Sequence, residues 1–274
     1  MFAHEFVRNA YLAGTFIALA CGSVGWFVVL RGQLFAGDAL SHVAFVGAIA
    51  AAVFAVNEQV GLFAVTLAVG AGMAALGRRA QADDVVIGIV FAWILGIGLL
   101  LITVLATSSG GGNGITAVNA LFGSIYALSA GASSVAAVIA AAVTAAVVVV
   151  FRPLLLSTLD SELAGARGVP VRALGAGFLV LVAAVTAEST EAVGALLLLG
   201  LLSAPAGAAH RMTANPYRGL ALSAGLAVVA MWGGLALSYG IPSLPASSAI
   251  IGLAAAIYAI AAVVGRRGRA PRRA

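Results

Sequence analysis

The chain has 274 residues, of which 63% are hydrophobic and 8% charged, and its mean hydropathy is +1.14. A soluble domain carries about a quarter charged residues, so this composition excludes a soluble globular protein and points to a polytopic membrane protein. The formal net charge of +5 rests on 14 arginines and no lysine; most of these arginines lie in loops and the tail, which argues for membrane orientation and against nucleic-acid binding.

The apolar runs are continuous rather than alternating, which excludes a transmembrane β-barrel. They predict a single all-α transmembrane domain over residues 1–274, with nine spans near 10–30, 38–56, 60–77, 85–107, 131–151, 171–187, 192–209, 219–238 and 246–265. The first run is too long for a signal-peptide core and lacks a clear cleavage pattern, so it reads as a retained span. Its single cysteine, Cys21, cannot form an internal disulfide and reads as a small buried residue.

The second run is preceded by RGQLFAGD, which predicts an irregular start that needs burial within protein. Asp38 and His42 follow, four residues apart, and on a helix they share one face. An ionised Asp near a bilayer centre costs roughly 2.5–3.5 kcal/mol, so such a residue faces a cavity or a partner. A carboxylate oxygen and an imidazole nitrogen together make half of a site for Zn²⁺, Mn²⁺ or Fe²⁺. The missing ligands would come from another span or from water. The residues alone leave a second reading open, with Asp38 as a helix N-cap and His42 bonded to a carbonyl.

Arg78 and Arg79 lie between the third and fourth spans. The loop 108–130 opens with SSGGGNG, a turn-rich run, and continues as a partly apolar stretch that reads as a surface helix or a re-entrant segment. Pro153 and Pro170 bracket the loop 152–170. Within it Asp160 and Glu162 stand near the start of a short helix and Arg167 near its end, as the helix dipole favours. Gly168 and Pro170 then stop it. This element is either an ordinary ordered loop or a docking element for a soluble partner.

The sixth and seventh spans leave Glu188 and Glu191 at their outer ends, as exposed loop acids or as further metal ligands at a cation mouth. Pro205 predicts a kink, and His210 beside Arg211 reads as interfacial. With alternate loops inside, Arg31, Arg78, Arg79, Arg152, Arg167, Arg172, Arg211 and Arg218 fall on one side, together with Arg266, Arg267, Arg269, Arg272 and Arg273 of the basic tail 266–274. Only Arg8 is left outside. That predicts an outer N-terminus and a cytoplasmic C-terminus. The outer loops then carry Glu5, Glu58, Glu188 and Glu191, a weakly acidic face that attracts cations or is simply solvated.

Enzymatic readings fare poorly. Ser41 and His42 are adjacent and on a helix point about 100° apart, and no G-x-S-x-G elbow occurs. Without a G-x-x-x-x-G-K-[ST] run the chain cannot hydrolyse ATP through a P-loop.

Six stretches carry a resemblance: VVLRGQLFAGDALSHVAFVGAIAA (28–51), DDVVIGIVFAWILGIGLLLI (83–102), NALFGSIYALS (119–129), LDSELAGARGVPVRAL (159–174), AVGALLLLGLLSAPAGAAHRM (192–212) and GLALSYGIPSLPASSAII (234–251). In these the chain resembles the permease subunits of metal-ion ABC importers, the zinc, manganese and iron class. The GDALSH block and the D-x-E-L-A-x-x-x-G-V loop are specific together. The chain departs from the family pattern at Gly32 and Gln33, in SAPAGAAHRM, and in SLPASS.

The resemblance implies an ABC importer permease fold of about 8–9 helices in the bacterial inner membrane, multi-pass and acting as a homodimer or pseudo-dimer. It implies a cytoplasmic ATP-binding subunit as the engine, an extracytoplasmic metal-binding protein that delivers the ion, and no catalytic residue in the permease itself. The divalent metal is cargo, and no tightly bound cofactor is expected. Asp38 and His42 look like part of the translocation pathway, and Asp160, Glu162, Leu163, Ala164, Gly168 and Val169 like the coupling helix that seats on the ATPase. An ABC permease for haem, a siderophore or cobalamin is the main alternative, although it usually has more spans. A stand-alone secondary transporter should show inverted repeats, and no convincing one is present.

Overall fold

A computed structural model describes residues 4–76, 84–108, 123, 125–241 and 243–268. All regular structure among these residues is helical: α1 (Glu5–Leu30), α2 (Leu34–Val53), α3 (Glu58–Leu76), α4 (Asp84–Ser108), α5 (Ala130–Val149), the short α6 (Phe151–Leu159) and α7 (Ser161–Ala166), then α8 (Val171–Val193), α9 (Ala195–Met212), α10 (Pro216–Gly240) and α11 (Ala246–Gly268). Eight helices among the described residues are long and apolar enough to cross a membrane. The further long helix is α9, of 18 residues. The chain order matches the nine apolar runs.

The second span begins earlier than its apolar run suggests. α1 ends in a Schellman motif: Gln33 N–H donates to the Val28 carbonyl at 2.9 Å and Gly32 N–H to Val29 at 3.2 Å, with Gly32 at φ +67°. A side chain at position 32 would strain that left-handed turn. α2 then starts at Leu34, so the expected irregular stretch RGQLFAGD is a three-residue turn followed by regular helix. Asn57 caps α3 through its Oδ1, which accepts from Gln59 N–H at 3.0 Å and Val60 N–H at 3.3 Å.

Two other boundaries differ from expectation. The sixth span runs on to Val193, and Gly194 at φ +91° is the whole connection to α9. Glu188 and Glu191 therefore belong to the last turns of α8 and are not loop acids. The predicted loop 152–170 is also mostly helical, because α6 follows α5 almost directly and α7 follows α6. α9 continues through Pro205 to Met212. Arg78, Arg79, most of the loop 108–130, and Arg269, Arg272 and Arg273 of the tail lie outside the described residues. Near the end of that loop a 3₁₀ turn at Ile125–Ala127 docks against α1 and α8.

α1 and α2 form the centre of the bundle, with 72% of each spanning window buried, against 17% for α4 at the periphery. α1 packs on α5, α10, α9 and α8, and α2 on α3, α4, α9 and α8. Close approach of backbones makes this possible. A Cβ at Gly22 would stand 2.6 Å from the Ala224 Cα, and one at Gly25 would collide with the Leu202 carbonyl oxygen. Serine and aromatic groups then tie helices together. Ser223 Oγ donates to the Gly22 carbonyl at 2.6 Å, Ser133 Oγ to that of Asn9 at 2.7 Å, and Tyr126 OH to that of Leu235 at 2.8 Å.

The bundle has two unlike ends. Arg31 bonds Thr158 of α6, and His210 of α9 meets the Trp26 carbonyl of α1 at 3.0 Å, so these lie at one end. Arg152, Arg167, Arg172, Arg211 and Arg218 belong to the same end by their places on α6 to α10. The opposite end holds Glu58 and Gln59 at the start of α3, with Glu191 bonded to Gln59, while Glu188 lies deeper, near Cys21 of α1.

Candidate functional site

α2 places Asp38 in its second turn and His42 one turn further, both half-buried. Asp38 does not cap the helix. The N-cap is Gln33, whose side chain makes no capping bond, and beyond the helix's own backbone bonds Asp38 receives, among the described residues, a bond from Ser41 Oγ to its backbone carbonyl at 2.7 Å. Among the described residues the Asp38 carboxylate accepts no hydrogen bond. His42 sets its ring edge-on to Phe91 of α4 at 5.3 Å and bonds no carbonyl among those residues. Both polar heads are thus held in place by packing and left with free ligating capacity. Among the described residues no three or more His, Cys, Asp or Glu side chains come together as a metal cluster. The pair by itself is not a closed metal site.

Glu191 stands toward the Gln59 end of the bundle, whereas Glu188 lies about midway along it, after Ala187, which packs with Ala44 and Ala48 of α2. Glu188 is 4% exposed and lies beside the Cys21–Ser189 contact of 3.0 Å. Glu191 accepts two bonds from Gln59 Nε2, at 3.1 and 3.2 Å, that hold α8 to α3. Asp38 and His42 share one face of α2 by their spacing, and neither glutamate joins them in a cluster of three or more ligating side chains among the described residues.

The short helix α7 is built by local chemistry. Asp160 caps α7, its Oδ1 accepting from Glu162 N–H at 3.1 Å and Leu163 N–H at 2.8 Å. Val169 N–H returns to the Ala164 carbonyl at 3.0 Å, with Gly168 at φ +78°, so a Schellman motif closes the other end. Ala164 is fully buried and anchors the turn, while Glu162 and Leu163 are exposed. A groove of about 600 Å³ runs beside it, lined by Ser161, Glu162, Gly165, Val169, Pro170 and Arg172 among others. Losing the cap costs about 1 kcal/mol. Asp160→Ala is therefore expected to speed amide hydrogen exchange at Glu162 and Leu163 about fivefold, measured on the detergent-solubilised chain. Unchanged exchange would show that α7 is held by packing alone.

Sequence reasoning missed the side chains that connect these parts. Arg31 read as a cytoplasmic loop charge, yet its Nε donates to Thr158 Oγ1 at 3.0 Å and its guanidinium lies over the Phe178 ring at 5.0 Å. Burial pushes its pKa down to about 10, which leaves it charged at neutral pH. Gln33 is 6% exposed. His210 read as interfacial, but it stacks on Trp26 at 5.0 Å and joins α9 to α1. The signal available was a polar R-G-Q between two apolar runs; nothing in it specified burial.

The ABC 3 transport family matches residues 3–265. The manganese transport system membrane protein MntC of Halalkalibacterium halodurans is 28% identical over 263 residues, covering 95% of this chain and 88% of that protein. The high-affinity zinc uptake system membrane protein ZnuB of Haemophilus influenzae is 26% identical over 235 residues, covering 85% of this chain and 88% of that protein. In structure the chain is similar to a chain of PsaBC from Streptococcus pneumoniae, solved in complex with Fab, at a TM-score of 0.81 and 25% identity, covering 95% of this chain and 92% of that one.

Proposed function

The chain belongs to the ABC 3 transport family and is a multi-pass membrane permease subunit of an ABC transporter; from that premise we propose that it passes a divalent transition-metal cation (zinc, manganese or iron) into the cell. The observation that carries this reading is the pair on α2, Asp38 and His42, with free ligating atoms on one face of a central helix. Relatives named for manganese and for zinc agree with the cargo class. The donor types suit these metals alike, so availability decides which is carried.

In this reading two copies of the chain form the pore, and the second copy brings a second Asp38 and His42. Four ligands from two chains can strip part of an ion's water shell and still release it, whereas a closed structural site would trap it. The metal is cargo and not a resident cofactor. An extracytoplasmic binding protein loads the end that carries Glu58 and Glu191. The arginine-rich end faces the cytoplasm, as the positive-inside rule favours, with the C-terminus there too. A separate ATP-binding subunit hydrolyses nucleotide and grips α7 and its groove. Its movement alternates which end of the pathway is open.

The test is reconstitution of the chain with its ATP-binding subunit and binding protein in proteoliposomes. ATP-dependent accumulation of Mn²⁺, Zn²⁺ or Fe²⁺ is the expected result. Accumulation of haem, a siderophore or cobalamin alone, or metal uptake that ignores ATP, would replace this reading.

A further inference from the structure

Between the docking element and the ion pair there is one polar connection among the described residues, and it runs through Arg31. Thr158, its bonding partner, stands two residues before Asp160, the cap of α7. Phe178, under its guanidinium, lies on α8, the helix that leaves α7. Arg31 itself is the C-cap of α1 and opens the rigid turn into α2, where Asp38 follows seven residues later. The elements that meet at Arg31 are thus α1 with its turn into α2, α6, which leads directly into α7, and α8.

This junction is polar where packing alone would favour an apolar side chain. A half-buried guanidinium with no acid partner among the described residues is costly, and a well-packed hydrophobic residue would do better for stability. Only one of its donors is used among the described residues. Nη1 of Arg31 and both amide atoms of Gln33 are buried with no hydrogen-bond partner among those residues. Buried orphans of this kind require an explanation. A junction with two arrangements supplies one, because groups left over in one arrangement are paired in the other.

We infer that Arg31 is a positioning residue that transmits movement of α7 to α2, and that the orphan groups of Arg31 and Gln33 find partners when the pathway changes its open side. The inference rests on the permease reading above but not on the identity of the cargo. Arg31 touches no ion. It acts through the turn that sets where Asp38 and His42 stand.

The experiment uses the full complex with its ATP-binding subunit in proteoliposomes, with two readouts. The first is Mn²⁺ and Zn²⁺ uptake per ATP hydrolysed. The second ignores cargo: maleimide labelling of a cysteine placed by Phe35→Cys in the first turn of α2, in a Cys21→Ala background, with and without ATP and vanadate. Arg31→Gln is expected to keep ATP hydrolysis within about twofold while uptake per ATP falls about tenfold and the nucleotide-dependent change in labelling is lost. Arg31→Lys, which keeps the charge but not the planar fork, is expected to restore part of both. Thr158→Val, of nearly the same shape, is expected to reduce both about threefold. It decides the matter if Arg31→Gln fails to assemble. A labelling change that survives these substitutions in full, or hydrolysis and uptake that fall in step, overturns the inference. If the native complex moves neither metal while Arg31→Gln still abolishes its labelling change, the cargo reading fails and the transmission role stands.

Discussion

Asp38→Ala is expected to lower Mn²⁺ and Zn²⁺ uptake by roughly 100-fold in a complex that still assembles and still hydrolyses ATP, since loss of even an outer partner of a metal ligand costs about 10- to 100-fold. The effect should be this large because the pair is sparse. In the proposed pore of two copies, with no cluster of three or more ligating side chains among the described residues, removal of one carboxylate from each copy takes away half of the proposed donors. His42→Ala should fall in the same range, and Asp38→Glu should keep part of the activity, because the longer carboxylate can still reach an ion on that face. The measurement is initial uptake rate in proteoliposomes, normalised to assembled complex. Native uptake by Asp38→Ala would remove the α2 face from the pathway and leave the acidic residues of the opposite end to be tested in its place.

The second large effect concerns stability. Gly25→Ala and Gly225→Ala make the same chemical change at two helix-interior positions, and opposite outcomes are expected. A Cβ at Gly25 would press into the Leu202 carbonyl, which is backbone and cannot rotate away, so α1 and α9 must separate. Overpacking costs about 1–3 kcal/mol even where side chains can adjust. Gly25→Ala is therefore expected to cost about 3 kcal/mol or more, which corresponds to a drop of roughly 10 °C in apparent Tm. At Gly225 nothing lies within 4 Å of the added carbon, so the change gains helix propensity, up to about 1 kcal/mol over Gly, and leaves Tm level or higher. Thermal unfolding in detergent, followed by loss of the monodisperse peak, reads both. Equal Tm values would mean that α1 and α9 are free to slide apart.

The features legible in the sequence were those decided over a few residues or by bulk composition. The nine apolar runs became nine long helices, and the ends of α7 lay at Asp160 and Gly168, because a cap side chain and a left-handed glycine act on backbone groups two to five residues away. The face shared by Asp38 and His42 follows from helical spacing alone. Where local signals were ambiguous the reading slipped. The R-G-Q turn reads as the start of an irregular stretch, and the sixth apolar run ends at Ala187 because Glu188 and Glu191 look like loop residues. In the structure Glu188 is nearly buried and Glu191 is bonded to Gln59.

The chain's own sequence determined that it spans a membrane many times, in what order its helices run, and where a carboxylate and an imidazole stand on one of them. Which faces turn inward was decided only by the tertiary structure. In water an apolar face must be the buried one. In a bilayer lipid is as apolar as leucine, so hydrophobicity no longer separates inside from outside. The most apolar window of the bundle, in α4, is the least buried, whereas the much less apolar α2 is central. Burial there is set by backbone fit, such as Gly25 against Leu202, and by polar partners far apart in the chain, such as Arg31 with Thr158 and Trp26 with His210.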